Sequence, residues 1–385
     1  MDSPDQGVKG IPTSLTYCSD DSVAIFIPMI GASFNGLISE NKISGTFKQS
    51  GYEFPLILEP EQSEENRRPQ TPHPPYPYEE QPVEIAINGA VLDGTLSLPE
   101  NPKAAVVFVT GSGPQNRDEE IFEHKPFRLL ADRLARAGIA SLRYDDRGVG
   151  KSTGNFAAAT TFTFCADASA AVTHLRTMGM TCPIGIIGHS EGGTIAFMLA
   201  AEGMVDFAVS LAGAAQSGLD ILVEQNRDAL IAMNISGPEL EHSVIFIREY
   251  LKGFGAGKKP DAQRIIKEKA LSIPDIVIQQ AVKDSNTLTS PWFSTFITLE
   301  PADYISKIKC PLLAVNGTLD TQVKTTLNLP VIRQMLPNAT IKEYSGLNHL
   351  FQHAITGSMA EYGEISETFA EEVIADIISF IYTSL

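Results

Sequence analysis

The chain has 385 residues, 43% hydrophobic and 19% charged, so it holds enough apolar material for one large folded domain and a smaller one. Its formal net charge of -17 disfavours binding to nucleic acid and to anionic membrane surfaces. No apolar run reaches the roughly 18 residues that cross a bilayer, and the four cysteines form no C-x-x-C pair, so neither a zinc site nor a redox dithiol is predicted.

Residues 22–58 alternate apolar positions with polar or small ones, which predicts short β-strands. Glycines and asparagines such as Gly31, Asn35 and Gly45 interrupt the alternation and indicate tight turns. We therefore predict a small antiparallel β module over residues 1–58. The next segment, residues 59–82, contains seven prolines among polar residues and has no periodicity, which is typical of an extended linker.

From residue 83 onward the pattern changes to alternating strands and helices. A hairpin with Asn88-Gly89 at its turn comes first, and short continuous apolar strands then alternate with helical segments as far as residue 212. Residues 216–307 lose the strand signal and contain only helical patterns. Strands return at 311–316 and 340–344, before a final amphipathic helix. This order predicts a mostly parallel sheet with helices on both faces, over residues 83–385, interrupted by a helical cap at about 216–307.

The sharpest chemical signal is the segment Gly188-His189-Ser190-Glu191-Gly192, which lies between a buried strand and a helix. It matches the G-x-S-x-G nucleophile elbow of the α/β-hydrolase fold, in which small flanking residues permit a strained turn that exposes the serine hydroxyl. We therefore predict Ser190 as a nucleophile. The alternative is an ordinary glycine-rich turn between a strand and a helix.

A serine hydroxyl needs a base, and the base needs an acid that holds its tautomer. In this fold the chain order is serine, acid, histidine, and only His349 and His353 come late enough. His349 is preferred because it follows directly on the strand that ends at Tyr344, whereas His353 lies four residues further on. Asp320 is the predicted acid because it stands at the carboxyl end of the strand at 311–316. A structural histidine and a helix N-cap are the respective alternatives.

Two backbone N–H groups are predicted to stabilise a developing oxyanion. One is that of Glu191, at the start of the helix after the elbow. The other belongs to the loop Gly111-Ser112-Gly113-Pro114, where we favour Ser112 over Gly113.

The segment Gly148-Val149-Gly150-Lys151-Ser152 resembles the end of a phosphate-binding loop. The full pattern requires a glycine five residues before Gly150, and that position is Asp145. We therefore expect no nucleotide there and interpret Asp145, Asp146 and Arg147 as structural ion pairs and turns. No group of residues has metal-ligand spacing, so neither a cofactor nor a metal is predicted.

These motifs together resemble bacterial α/β-hydrolase esterases that carry a small N-terminal β module. The segments that match are Thr110-Gly111-Ser112-Gly113-Pro114-Gln115, Arg117-Asp118-Glu119, Tyr144 to Ser152, Gly188 to Gly193, Asn348 to His353 and Glu361-Tyr362-Gly363. The resemblance implies a Ser190, Asp320, His349 triad, a helical cap over the site, and hydrolysis of short-chain acyl esters as small-molecule substrates. Residues 1–7 resemble the middle of that family's N-terminal module and carry no signal peptide, so the resemblance implies a longer, exported precursor.

Motifs around the triad do not separate esterases from the related serine aminopeptidases and acyl thioesterases. A peptidase or amidase of this fold would need an acidic cap residue for a substrate ammonium group, and Glu224, Asp228 and Glu239 are candidates, unless they form solvated helix faces. A second alternative is a non-catalytic binding protein whose β module holds a glycan or another partner.

Overall fold

A computed structural model describes residues 12–28, 31–39, 42–49, 52–59, 68–283 and 285–385. The chain divides into two compact units, Met1–Arg67 and Arg68–Leu385. No helix in the described ranges combines the length and the hydrophobicity needed to span a membrane.

The smaller unit is a five-stranded sheet in which each strand pairs antiparallel with the next along the chain. Its strands are β1 (Ser14–Cys18), β2 (Ser22–Ile27), β3 (Ala32–Ser39), β4 (Lys42–Gln49) and β5 (Tyr52–Leu58). The alternation buries Ile27 and Phe34 and leaves Phe26 and Leu37 exposed. The antiparallel module predicted from the period-two pattern is confirmed, and β1 precedes the segment that showed the pattern.

The larger unit is built on an eight-stranded sheet in the order β13-β12-β11-β10-β8-β9-β7-β6. The strands from β8 to β13 are parallel, and the hairpin β6–β7 adds an antiparallel edge next to β9. The bounds are β6 (Glu79–Ile87), β7 (Ala90–Leu98), β8 (Ala104–Val109), β9 (Ile139–Tyr144), β10 (Ile184–His189), β11 (Ala208–Leu211), β12 (Leu312–Gly317) and β13 (Thr340–Tyr344).

Five helices cover the two faces of this sheet. They are α1 (Pro126–Arg136), α2 (Thr161–Thr177), α3 (Glu191–Ala201), α11 (Thr325–Met335) and α12 (Glu371–Thr383). Phe127 of α1 and Ile377 of α12 belong to the core on one face, and Val172 of α2 and Ile195 of α3 belong to the core on the other. Because both faces are covered, the parallel strands are apolar throughout, which is why they read as continuous apolar runs. The predicted α/β-hydrolase architecture is confirmed.

The segment between β11 and β12 forms a helical cap. Its helices are α4 (Gly218–Ala232), α5 (Gly237–Gly255), α6 (Ala262–Glu268), α7 (Asp275–Lys283), α8 (Ser285–Leu288), α9 (Pro291–Thr298) and α10 (Ala302–Ile305). The cap has a hydrophobic core of its own that includes Phe246, Tyr250, Phe254 and Phe293. The helical insertion expected at about 216–307 is present, and its period-3.6 pattern reflects burial within the cap rather than against the sheet.

The prolines of residues 68–82 lie in ordered structure, and the predicted linker boundary at residue 82 needs correction. Residues 79–82 form the beginning of strand β6. Upstream, the guanidinium of Arg68 is buried and donates to the carbonyls of Phe122 and Gly363. Gln70 accepts hydrogen bonds from the backbone N–H groups of Thr368 and Phe369. Side-chain bonds to distant backbone hold this stretch in place, and such bonds leave no periodicity in a sequence.

The turn that resembles a phosphate-binding loop is structural. The Ser152 hydroxyl donates to the carbonyl of Asp145 at 2.7 Å and accepts from the N–H of Asp93 at 2.9 Å, so it is fully used inside the protein. Arg147 forms a two-point ion pair with Asp167 of α2, with 2.8 Å between Nε and Oδ2. Asp167 is almost fully buried, and burial raises the pKa of its carboxyl, although Arg147 opposes the shift.

Replacing Arg147 tests whether the Arg147–Asp167 pair stabilises the packing of α2 on the sheet. Arg147→Met leaves the Asp167 carboxyl buried without its partner, so we expect a loss of about 3 to 5 kcal/mol in the free energy of unfolding. Urea denaturation followed by circular dichroism measures it. Arg264→Met, which removes an exposed pair with Glu268 in the cap, is the matched control and should change stability by less than about 0.5 kcal/mol. Equal effects of the two substitutions would contradict this assignment.

Candidate active site

Ser190 lies at the sharp turn between β10 and α3 with φ 53° and ψ −116°, a backbone conformation that L residues rarely adopt. Close backbone packing enforces the turn. A Cβ at Gly188 would lie 1.9 Å from the carbonyl oxygen of Gly192, and a Cβ at Gly192 would lie 2.1 Å from the carbonyl oxygen of Val109. Only glycine fits at either position, so sterics explain both glycines of the motif.

His349 and Asp320 meet at the carboxyl ends of β12 and β13. The imidazole Nδ1 lies 2.7 Å from Oδ2 of Asp320, and both residues are buried. The second carboxylate oxygen accepts from the backbone N–H groups of Gln322 and Val323, each at 2.8 Å. These bonds fix the carboxylate, and a carboxylate bonded to Nδ1–H leaves Nε2 of the histidine as the free base.

The loop that carries His349 is held by Asn348. Its side-chain oxygen accepts from the N–H groups of Leu350 and Gln352, and its amide donates to the side chain of Gln352 at 2.9 Å. Asn348 is itself fully buried. The buried amide adds to the backbone hydrogen bonds of this loop, such as that from the N–H of Asn348 to the carbonyl of Gln352 at 3.0 Å, so the imidazole is presented by a well-braced turn.

One cavity of about 340 Å³ brings most of the predicted site together. Ser190, His349, Ser112 and Glu191 all line it, and Asp320 stands behind His349. Within the described part of the chain the Ser190 hydroxyl has no hydrogen-bond partner, so it is free to turn toward the base or toward a substrate. In unliganded hydrolases such contacts often tighten only when substrate is bound.

The two residues whose N–H groups are the predicted oxyanion donors both line this cavity. The backbone N–H groups of Ser112 and Glu191 make no hydrogen bond among the described residues, whereas that of Gly111 donates to Glu119 at 2.7 Å. Gly113, with φ 100°, is not in the described wall of the cavity. The geometry therefore favours Ser112 over Gly113.

His353, the alternative base, lies elsewhere. Its ring is largely exposed and contacts Glu367 and Glu372 on the surface. It supports the end of the loop and does not reach the cavity wall.

Sequence reasoning missed three side chains at the site. Trp292, the only tryptophan of the chain, reaches from cap helix α9 and donates its indole N–H to the carboxylate of Glu191 at 2.9 Å. Glu191 also accepts from Thr161 at 2.7 Å, and its burial raises the pKa of this carboxyl. Glu119 and His189 form a buried pair beside the elbow. Glu119 and His189 lie in segments that carry the family resemblance, and Trp292 is the only tryptophan, but no local pattern indicates these contacts because they join segments far apart in sequence.

The remaining wall of the cavity is mostly apolar. Its apolar residues come from the cap and from the loops after β8, β11, β12 and β13, namely Ile121, Ala214, Ile221, Leu222, Trp292, Phe296, Val323, Leu350 and Met359. Trp292 stacks on Phe296 with 4.9 Å between ring centroids. Among the described residues no cluster of His, Cys, Asp or Glu is arranged to hold a metal ion.

Known proteins of two kinds resemble this chain in sequence. A family described as "Serine aminopeptidase, S33" matches residues 100–241. The chain is 24% identical to Esterase EstD of Thermotoga maritima over 321 residues, which are 81% of this chain and 66% of that protein, so the match spans just under two thirds of the relative. The chain is similar to this family and to this esterase, and its own sheet order and helical layers are those of the α/β-hydrolase fold.

Solved structures that are similar to this chain include two esterases. The Pyrococcus furiosus esterase Pf2001 is 19% identical with a TM-score of 0.48, covering 80% of this chain and 91% of that one. Est1E from Butyrivibrio proteoclasticus, solved with ferulic acid bound, is 18% identical with a TM-score of 0.49, covering 78% of this chain and 98% of that one.

Asp146 braces the loop of residues 110–115, which contains Ser112. Its carboxylate accepts from the Thr110 hydroxyl and from the backbone N–H of Gln115, both at 3.0 Å, and so spans the loop from end to end. Burial outweighs these two hydrogen bonds, and the nearby carboxyls of Glu119 and Glu191 add to it, so the pKa of Asp146 is raised to about 7.

This raised pKa predicts a pH-dependent stability. A carboxyl that binds its proton more tightly in the folded chain stabilises the fold at low pH, and that contribution is lost as the pH rises through 7. Between pH 6 and pH 8 the loss is about 1.4 kcal/mol. Asp146→Asn cannot ionise, so relative to wild type it should be more stable at pH 8 than at pH 6 by that amount.

Urea denaturation at the two pH values measures the difference. Glu343→Gln, which removes an exposed carboxylate from β13, is the control for a general loss of negative charge. An Asp146→Asn variant with the same stability relative to wild type at both pH values would contradict this prediction.

Proposed function

We propose that this protein is a carboxylesterase that cleaves short-chain acyl esters through an acyl-enzyme on Ser190. The observation that carries the proposal is the convergence of a strained serine, a carboxylate-bound imidazole and two free backbone N–H groups on one small apolar cavity. An apolar cavity suits an acyl chain and a neutral alcohol group. The sequence similarity to an esterase over most of the chain supports the same reaction class.

In the proposed mechanism the Ser190 oxygen attacks the ester carbonyl carbon while Nε2 of His349 takes the hydroxyl proton. The N–H groups of Ser112 and Glu191 stabilise the negative oxygen that forms. The imidazolium then gives its proton to the departing alcohol. A water molecule, deprotonated by His349, releases the acid from Ser190. Asp320 holds Nδ1–H throughout and stabilises the imidazolium.

The electrostatics of the cavity argue against an aminopeptidase. A substrate ammonium group would need a free carboxylate, and the acidic residues in the described wall are Glu119 and Glu191. Both are buried and already hydrogen-bonded, the first to Gly111 and His189, the second to Thr161 and Trp292.

The acidic cap residues considered from the sequence are also unsuited to that role. Glu224 and Asp228 both contact Lys324, at 3.6 Å and 2.7 Å, and neither lines the cavity. Glu239 is exposed at the start of α5 and is not in the described cavity wall either.

Removing the nucleophile tests the proposal. Ser190→Ala is expected to lower kcat on p-nitrophenyl butyrate by about 10⁴-fold or more, because the covalent step is lost, while the far-UV circular dichroism stays that of wild type. A fluorophosphonate probe should label wild type and leave Ser190→Ala unlabelled. A wild-type protein that resists the probe would favour the binding-protein alternative. Retained turnover in the variant would refute Ser190 as nucleophile.

A parallel substrate panel separates the related activities. We expect wild type to hydrolyse aryl esters with short acyl chains, with a lower kcat/KM for acyl thioesters and for aminoacyl anilides. A preference for the anilide would show that the carboxylates of the cavity do serve a substrate amine, and the esterase proposal would then be wrong.

The size of the cavity predicts how acyl-chain preference can be changed. At about 340 Å³ it is near the lower end of the usual range for small-molecule sites. Phe296→Ala removes a ring from the wall without touching the Glu191 carboxylate, so the optimum among C2 to C10 p-nitrophenyl esters should shift to longer chains, with a rise in kcat/KM of about 10-fold for the longer esters. Ile245→Ala, at an exposed cap position, should leave the profile unchanged. An unaltered profile in Phe296→Ala would contradict a role of this wall in acyl selection.

A further inference from the structure

Glu119 is a buried carboxyl beside the nucleophile for which the proposed reaction has no direct use. It is 5% exposed, and its backbone has φ 52°, an uncommon conformation for a side chain of this size. Residues are kept in such conformations when the surrounding structure requires them, and they cluster at functional sites. The contacts of its carboxylate indicate what that requirement is.

One oxygen of Glu119 joins two segments of the site. Oε1 accepts the backbone N–H of Gly111 at 2.7 Å and contacts Nδ1 of His189 at 2.9 Å. Gly111 directly precedes Ser112, and His189 directly precedes Ser190. A Cβ placed on Gly111 would lie 3.2 Å both from Oε1 of Glu119 and from Cβ of Ser190, which shows how closely the loop, the carboxylate and the nucleophile are packed.

The other ring nitrogen of His189 contacts the loop that carries His349. Its Nε2 lies 2.9 Å from the backbone carbonyl oxygen of His349, and the two histidine rings are 4.6 Å apart between centroids. A carbonyl oxygen only accepts hydrogen bonds, so Nε2 of His189 must carry a proton and donate it. Glu119 and His189 therefore form one continuous chain of hydrogen bonds from the oxyanion loop through the elbow to the loop of the base.

The same contacts act on the charge of the His189 ring. Burial lowers the pKa of His189, but the carboxylate of Glu119 at hydrogen-bond distance outweighs it, and the pKa is raised overall. The ring of Phe351 and the ring of His349 are its aromatic neighbours, and Asp320 is the further charged group that acts on it. A charged Glu119–His189 pair makes both hydrogen bonds of the ring charge-assisted and therefore short and directional.

We propose that Glu119 is a positioning residue, which acts through His189 and Gly111 to set the distances between the oxyanion donors, Ser190 and His349. The proposal rests on the proposed roles of Ser190 and His349. Glu119 lies in the cavity wall, but its Oε1 is bonded to Gly111 and His189, so we assign it no direct part in the bond changes at Ser190. Loss of the Glu119 carboxylate should leave substrate binding intact. It should reduce the fraction of bound complexes in which the attacking oxygen, the base and the oxyanion donors are aligned, so we expect a lower kcat.

The variant Glu119→Gln tests this with the smallest change of shape. The amide oxygen still accepts one hydrogen bond, but the charge that holds both Gly111 and His189 is gone. We expect kcat on p-nitrophenyl butyrate to fall about 10- to 100-fold, with KM within about twofold of wild type. Rates are expressed per active site titrated with a fluorophosphonate, so that misfolded protein does not count. Glu120→Gln, at the exposed neighbouring position, is the matched control and should keep wild-type kcat.

A double-mutant cycle identifies His189 as the route of the effect. His189→Gln should itself lower kcat, and adding Glu119→Gln to it should lower kcat by less than about threefold more, because the link is already broken. A purely structural role would instead lower the thermal midpoint and the titratable fraction while kcat per site stayed near wild type. Independent, multiplicative losses of kcat would also overturn the proposal.

The outcomes separate this proposal from the proposed function. If wild type neither turns over esters nor reacts with the probe, the function assigned to Ser190 fails. If wild type is active and both single variants keep kcat per site within twofold, the positioning role fails alone. If neither variant folds, the pair is a folding element only and the positioning role fails as well.

Discussion

The close crossing of helix α3 over the sheet is the constraint on which the rest of the site depends. At Gly188 and Gly192 the backbone of the elbow approaches other backbone atoms so closely that a single Cβ would overlap them. The turn between the two glycines drives Ser190 to a positive φ, and the packing of α3 against both β10 and β11 maintains this conformation.

Parallel strands supply the second requirement, which is convergence. Strands β8, β10, β12 and β13 all end at the same edge of the sheet, so the loops that carry Ser112, Ser190, Asp320 and His349 meet there, although up to 237 residues separate them in the chain. Buried polar side chains then fix each loop separately. Asn348 holds the loop of His349, Asp146 holds the loop that contains Ser112, and the backbone N–H groups after Asp320 hold its carboxylate.

The cap adds the wall that the sheet cannot provide. Trp292 brings an aromatic surface to the cavity and donates a hydrogen bond to Glu191, the residue directly after the serine. This contact is between a helix near the end of the cap and the elbow, and it gives the buried carboxylate of Glu191 a partner. One side chain of the cap therefore both lines the cavity and bonds to the residue that follows Ser190.

Much of this protein could be predicted from local sequence pattern. Period-two alternation identified the β module, and continuous apolar runs identified the parallel strands, because each pattern reports which faces of a strand are buried. The elbow was recognisable because sterics allow only glycine at positions 188 and 192. Asp320 and His349 were found by their position at strand ends, and the structure places the two in hydrogen-bond contact.

Other features were decided by the tertiary structure. Residues 68–82 resemble a linker in composition, yet Arg68 and Gln70 are anchored to carbonyl and N–H groups almost 300 positions away, and such bonds leave no repeating pattern. Glu119, His189 and Trp292 belong to the site only because folding brings a loop, a strand end and a cap helix together. Sequence determined which segments could form each element and which residues had to be small. The fold determined the partners of the buried polar groups. A buried polar group without a partner costs free energy, and folding can supply the partner from any part of the chain.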